Sequence, residues 1–132
     1  MTKPIFYIAG PYSNPNPQMM QLHYELLTEY ATRQTRDGYV VFSPITHSHE
    51  LARYGTPTTW AFWKQIDEEF LKRAAAMIVV KLTGWEKSIG VTGEREFCEQ
   101  WGIPIFYVDR DTNLKDILQA WPDATITIPE EN

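Results

Sequence analysis

Short apolar runs alternate along the chain with stretches in which apolar side chains return every three or four positions. Ile5-Phe6-Tyr7-Ile8-Ala9 is a run of strand length, ended by the turn signal Gly10-Pro11. Ser13-Asn14-Pro15-Asn16-Pro17 is a cluster of breakers that marks a helix start. From Gln18 to about Arg36, Met19, Leu22, Leu26 and Tyr30 recur at helical spacing, and Asp37-Gly38 ends that helix. Tyr39-Val40-Val41-Phe42 reads as a second strand, stopped by Ser43-Pro44. Thr46 to Thr59 is polar and reads as a long loop, with at most a helical turn near Glu50-Leu51-Ala52; loops of this length in compact domains often bind ligands. A helix from about Thr59 to Ala75 leads into a third strand, Met77 to Leu82. Gly90 to Trp101 is the next helix, with Gly102 as its stop, and Ile103 to Val108 is a fourth strand. Asn113 to Ala120 reads as a short helix and Ala124 to Ile128 as a last strand.

Apolar strands alternating with helices predict a parallel sheet covered on both faces: an α/β, flavodoxin-like or Rossmann-like three-layer sandwich of four to five strands. At 132 residues, without repeats, linkers or low-complexity tracts, the chain is one domain with a single core. In such sheets ligands bind beyond the carboxyl ends of the strands, where strand order reverses. The topology therefore predicts that three turns meet at one edge: Gly10–Ser13, Ser43–His49 and Leu82–Glu94.

Charge and composition narrow the ligand. A net charge of −5 argues against a general nucleic-acid binder, which needs a basic surface, but leaves room for a small phosphorylated molecule held by backbone amides. No apolar run is long enough to cross a bilayer, and no signal peptide opens the chain. The lone Cys98 has no partner for an internal disulfide. A cytoplasmic protein that binds neither nucleic acid nor membrane is expected. Aromatic residues make up 14% of the chain, enough both to pack a core and to line a pocket.

The richest candidate chemistry lies in Ser88-Ile89-Gly90-Val91-Thr92-Gly93-Glu94. A small polar turn between strand and helix offers unpaired amides to an anion, and Ser88 and Gly90 are its phosphate-binding candidates. It also delivers Glu94 to the start of a helix, where nearby N–H groups are expected to hold the carboxylate ionised. Helical phase puts Glu94 amid Val91, Phe97, Cys98 and Trp101, with Glu96 turned away. An inward carboxylate is either used or engaged in capping the first-turn amides. Asp67 lies on another apolar stripe, with Trp60, Trp63, Phe70, Leu71 and Ala74, while Glu68 and Glu69 face solvent. It is either a buried partner of a cation or a second carboxyl group for acid–base work. Gly10 permits a close backbone approach to a ligand, and Tyr12 and Ser13 offer hydroxyls to a phosphate or sugar. His47, with His49 two residues on, is expected to hydrogen-bond a base or sugar, or to pack the loop, rather than bind metal, since neither a Cys partner nor a third ligand stands at a recognised spacing. Neither a Walker loop nor a Gly-x-Gly-x-x-Gly fingerprint is present, which weighs against triphosphate hydrolysis and NAD-dependent oxidoreduction.

Together these motifs resemble the nucleoside 2-deoxyribosyltransferase superfamily, and within it the nucleoside 5′-monophosphate N-glycosidases and their small phage and bacterial relatives. The likeness rests on Tyr7-Ile8-Ala9-Gly10-Pro11-Tyr12-Ser13, Ser43-Pro44-Ile45-Thr46-His47, Asp67 in its aromatic helix, the Ser88–Glu94 segment, and the helix leading to Gly102-Ile103-Pro104-Ile105, over roughly residues 4 to 108. It implies Glu94 as the nucleophile at the anomeric carbon and Asp67 as the group that assists the sugar or the departing base. It also implies Ser88 and Gly90 as the 5′-phosphate turn, and Gly10, Tyr12 and Ser13 as the loop around sugar and phosphate. No cofactor or metal is implied, and a homodimer or larger homo-oligomer is expected. The likeness departs at Ala74-Ala75-Ala76, where many members carry a second Asp, and this sets hydrolysis ahead of base exchange.

The chemistry stands without the resemblance. Breaking an N-glycosidic bond develops positive charge on the sugar, and a carboxylate at the anomeric carbon stabilises or traps it. The expected activity is hydrolysis of a nucleoside or deoxynucleoside 5′-monophosphate to free base and sugar 5-phosphate. Deoxyribosyl transfer between bases, NAD-type glycohydrolysis and a nucleotide-binding sensor without turnover are the rivals.

Overall fold

The computed structural model describes residues 3–118, so the expected strand Ala124–Ile128 lies outside the described residues. Four strands, β1 (Ile5–Ala9), β2 (Val40–Phe42), β3 (Ala76–Val80) and β4 (Ile105–Val108), form one all-parallel sheet in the order β2-β1-β3-β4. Phe6 lies opposite Val41 and Ala76, and Ile78 opposite Ile8 and Phe106, so the strand centres line up across the sheet. The connections carry the helices α1 (Pro17–Arg36), α2 (Pro44–Ala52), α3 (Trp60–Leu71) and α4 (Ile89–Trp101), and α5 (Leu114–Leu118) follows β4.

The side-chain alternation of a strand sorts the core into two layers. Phe6, Ile8, Ile78 and Val80 pack with Leu27 and Tyr30 of α1 and Leu114 and Leu118 of α5. Tyr7, Ala9, Met77 and Val79 face the other way, onto Leu71 of α3 and Val91, Phe97 and Cys98 of α4. Both faces of the sheet are therefore covered, which is why its strands read as continuous apolar runs. Every residue of β3, a central strand, is buried.

Several boundaries differ from the sequence reading. Pro44 to Ala52 is a helix, where a long loop was expected. Pro44 sits at its first position, where a fixed φ and a missing N–H suit a helix start. Thr46, His47, Ser48, His49 and Glu50 give it no apolar stripe, so the periodicity that reveals other helices is absent. The next helix closes at Leu71 rather than Ala75, and Ala76 already belongs to β3. Tyr39 precedes β2, Lys81 and Leu82 follow β3, and Ile103 and Pro104 precede β4. Trp101, expected on the apolar face of α4, is 56% exposed and stacks on Phe97 with ring centroids 5.5 Å apart. Phe70, expected on the stripe of α3, is also largely exposed and stacks on Phe42 with ring centroids 4.1 Å apart. Among the described residues no helix is long and apolar enough to cross a membrane.

Candidate active site

β1 and β3 are neighbours whose outgoing connections run to opposite sides of the sheet, the place where a parallel sheet opens a crevice. A small cleft of about 40 Å³ lies there. The turn after β1 supplies Gly10, Tyr12 and Ser13, α2 supplies Ile45 and Ser48, and α3 with its approach supplies Thr58, Thr59, Trp60, Trp63 and Asp67. Ser88, Gly90 and Glu94 complete the wall from the start of α4.

Glu94 is buried on the sheet-facing side of α4, and Glu96 is exposed, as helical phase predicts. The phenol of Tyr7, a fully buried residue of β1, donates a hydrogen bond to Glu94 Oε2. Glu94 is not in the first turn, however. α4 begins at Ile89, so Glu94 is its sixth residue, past the unpaired amides that were expected to hold it ionised. Burial dominates instead. It pushes the Glu94 carboxyl up to about 8, the Tyr7 hydrogen bond opposes that rise, and the nearby Asp67 charge adds to it.

Asp67 projects from the middle of α3, 6% exposed, and its Oδ1 has no hydrogen-bond partner. Desolvation pushes its carboxyl up to about 7. No cation pairs with it among the described residues, so the reading of Asp67 as half of a buried ion pair does not hold. A buried carboxylate oxygen without a donor is costly, and groups of this kind concentrate at functional sites.

Ser88 is the N-cap of α4, and its Oγ accepts from the Val91 amide at 3.2 Å. Its hydroxyl hydrogen remains to be given, and helix geometry leaves the amides of Ile89 and Gly90 without intrahelical acceptors. The anion-friendly turn is thus a capped helix start, with Gly90 inside the helix rather than in the turn before it. Gly93 has a different duty. A Cβ there would stand 2.5 Å from Nε1 of Trp60, so the bare backbone of α4 is what lets that indole lie against it and wall the cleft. Gly10 is crowded from within: its Cβ would meet Cδ2 of Leu27 at 2.6 Å, so packing on α1 requires the glycine.

Seven of the eight residues singled out from sequence line this one cleft: Gly10, Tyr12, Ser13, Asp67, Ser88, Gly90 and Glu94. His47 does not. It is exposed on α2 against Phe42 and Trp63, at ring separations of 6.0 and 5.9 Å, and borders a separate groove between α1 and β2. Once Pro44–Ala52 is helical, His47 and Ser48 point different ways, and Ser48 is the one that reaches the cleft. Trp60 and Trp63 were visible as an apolar stripe, but nothing in their spacing distinguishes a core wall from a cleft wall. Tyr7 reads as an ordinary core residue, and its bond to Glu94 spans 87 positions of sequence. Among the described residues, no three of His, Cys, Asp and Glu gather into a metal-binding group.

Fold and cleft together define a parallel α/β domain with two desolvated carboxyl groups at the switch point of its sheet. The chain belongs to the DUF1937 family, described as a domain of unknown function, whose model matches residues 4–110 and so spans every cleft residue. No curated protein matches it.

Proposed function

We propose that this protein is an N-glycosidase that hydrolyses a nucleoside or deoxynucleoside 5′-monophosphate to free base and sugar 5-phosphate. The observation that carries the reading is the pairing of Glu94 and Asp67, two buried carboxyl groups in one cleft, beside a helix start with amides to offer an anion. The phosphate sits at the start of α4, on the Ile89 and Gly90 amides and the Ser88 hydroxyl. Trp60 and Trp63 supply flat apolar surface for the base.

Ionised Glu94, steadied by the Tyr7 phenol, attacks the anomeric carbon as the bond to the base breaks. The bonding electrons leave with the base, which takes a proton from Asp67. The Asp67 carboxylate then takes a proton from water, whose oxygen displaces Glu94 and releases the sugar phosphate. Burial lifts Glu94 to about 8 and Asp67 to about 7, so near neutrality the one proton of the pair rests mainly on Glu94, and the reaction runs through the form in which that proton has passed to Asp67. The same reading makes the protein a homodimer or larger assembly in a reducing cytoplasm. Ile89 at 73% and Trp101 at 56% exposure at the two ends of α4, and a single buried Cys98, support it.

The test is release of free base from each common ribo- and deoxyribonucleoside and its 5′-monophosphate. At least one monophosphate is expected to be cleaved in preference to its nucleoside. Glu94→Gln is expected to lower turnover by at least about a thousandfold while the protein stays folded. No Glu94-dependent release from any of them would overturn the proposal, and exchange between bases without net hydrolysis would replace it by transfer.

A further inference from the structure

Tyr12 stands in the cleft wall with its hydroxyl already committed, and the direction of that commitment can be traced from the far end of a chain of side chains. Glu25 on α1 ends in a carboxylate, which accepts hydrogen bonds only. Gln21, one turn earlier, places its amide nitrogen 3.1 Å from Glu25 Oε1, and this fixes which way the amide faces. Its carbonyl oxygen is then turned to His49, 3.0 Å from Nε2. A carbonyl only accepts, so Nε2 carries the imidazole hydrogen. In the neutral ring Nδ1 is therefore bare, and it accepts from the Tyr12 hydroxyl at 2.7 Å. Tyr24 holds the imidazole plane by stacking on it at 4.0 Å, and its own hydroxyl donates to Glu50 at 3.0 Å.

We propose that Tyr12 serves the cleft as a hydrogen-bond acceptor, fixed in that role by His49, Gln21 and Glu25, and that it takes a sugar hydroxyl rather than a phosphate oxygen. This rests on the nucleotide reading given above. The single hydrogen of the phenol is spent on His49, so lone pairs are what remain for a ligand. A phosphate dianion would bring lone pairs to lone pairs, whereas a ribose hydroxyl brings the missing donor. Burial raises the Tyr12 phenol above its ordinary value, which keeps the hydrogen in place. The two ends of the ligand are thereby sorted: phosphate to the start of α4, sugar to the turn after β1. His49, Gln21 and Glu25 are positioning residues, and Tyr12 is the contact.

Two measurements on the full chain decide this. Long-range ¹H–¹⁵N correlation spectra, with His49 identified by loss of its signals in His49→Gln, report the tautomer. The Nε2–H form is expected to dominate in the parent and to lose ground in Gln21→Leu. A dominant Nδ1–H form overturns the proposal, because His49 would then donate to Tyr12 and free the phenol hydrogen. Calorimetric titration with ribose 5-phosphate and with inorganic phosphate is the second measurement. Tyr12→Phe is expected to weaken ribose 5-phosphate roughly tenfold and to leave inorganic phosphate unchanged. Equal weakening of both, no weakening of either, or no binding of ribose 5-phosphate to the parent overturns it. Failure of the N-glycosidase reading is distinguishable, since it appears as absent base release while the tautomer and both titrations still give their answers.

Discussion

Glu94 has one side-chain donor, the Tyr7 phenol, and Asp67 has an oxygen with none. Their charged forms are consequently disfavoured, which has a cost in stability. The folded state binds protons on these groups up to about pH 7 and 8, whereas free carboxyl groups release them near 3.8 and 4.5. Between those limits the folded chain carries more protons than the unfolded one, so stability falls as pH rises through the window. Glu94→Gln removes one of the two contributions. The variant is expected to match the parent near pH 4 and to exceed it at pH 9 by on the order of 5 kcal/mol, measured by urea unfolding at both pH values. On the N-glycosidase proposal the same ionisations shape the rate. The working form holds one proton on the pair, so kcat/KM for the preferred nucleotide is expected to rise through about pH 7 and fall above about pH 8. Asp67→Asn is expected to lose the alkaline fall, leaving a single acid limb set by ionisation of Glu94.

At the scale of elements, the contact between α3 and α4 sets the shape of the cleft. The Trp60 ring rests where α4 carries glycine, and a Cβ on Gly93 would approach Cε2 and Cζ2 of that ring at 2.7 and 2.8 Å. An indole is rigid, so the ring or the whole helix must move. Gly93→Ala is expected to fold, to lose about 1–3 kcal/mol from overpacking, and to raise KM more than it lowers kcat. Circular dichroism, tryptophan fluorescence and steady-state kinetics check this. Gly90→Ala is the contrast, since its Cβ would stand 3.8 Å from the same ring and should cost little stability. The strands and the long helices were legible because burial on one or both faces imposes a period on the sequence. α2 was not, because its buried positions, Pro44 and Ser48, are not the residues by which an apolar stripe is recognised. Gly93 was legible as a small residue, but its reason, an indole from another helix, depends on packing across 33 positions.

For the whole molecule, strand order does most of the gathering. Placing β1 beside β3 brings Gly10, Ser13, Ser88 and Glu94 together from two halves of the chain, and parallel topology alone predicted that edge. The inward face of Glu94 and of Asp67 followed from helical phase. The protonation of the pair did not, since desolvation depends on how many elements close over a group. His47 was misplaced for a related reason: a loop residue can turn toward a site, whereas a residue fixed in a helix faces where its phase directs. A cleft whose carboxyl groups are only partly protonated near neutrality also behaves as a proton sink. An arriving phosphate dianion adds negative potential beside Glu94 and Asp67 and drives both toward their neutral forms. Ligand capture is therefore expected to draw protons from solution. At pH 8 the heat of binding ribose 5-phosphate should vary with the ionisation heat of the buffer, in the sense of uptake, and affinity should weaken at higher pH. In Glu94→Gln carrying Asp67→Asn the buffer dependence should vanish, leaving a cleft that takes its ligand without exchanging protons with the surrounding water.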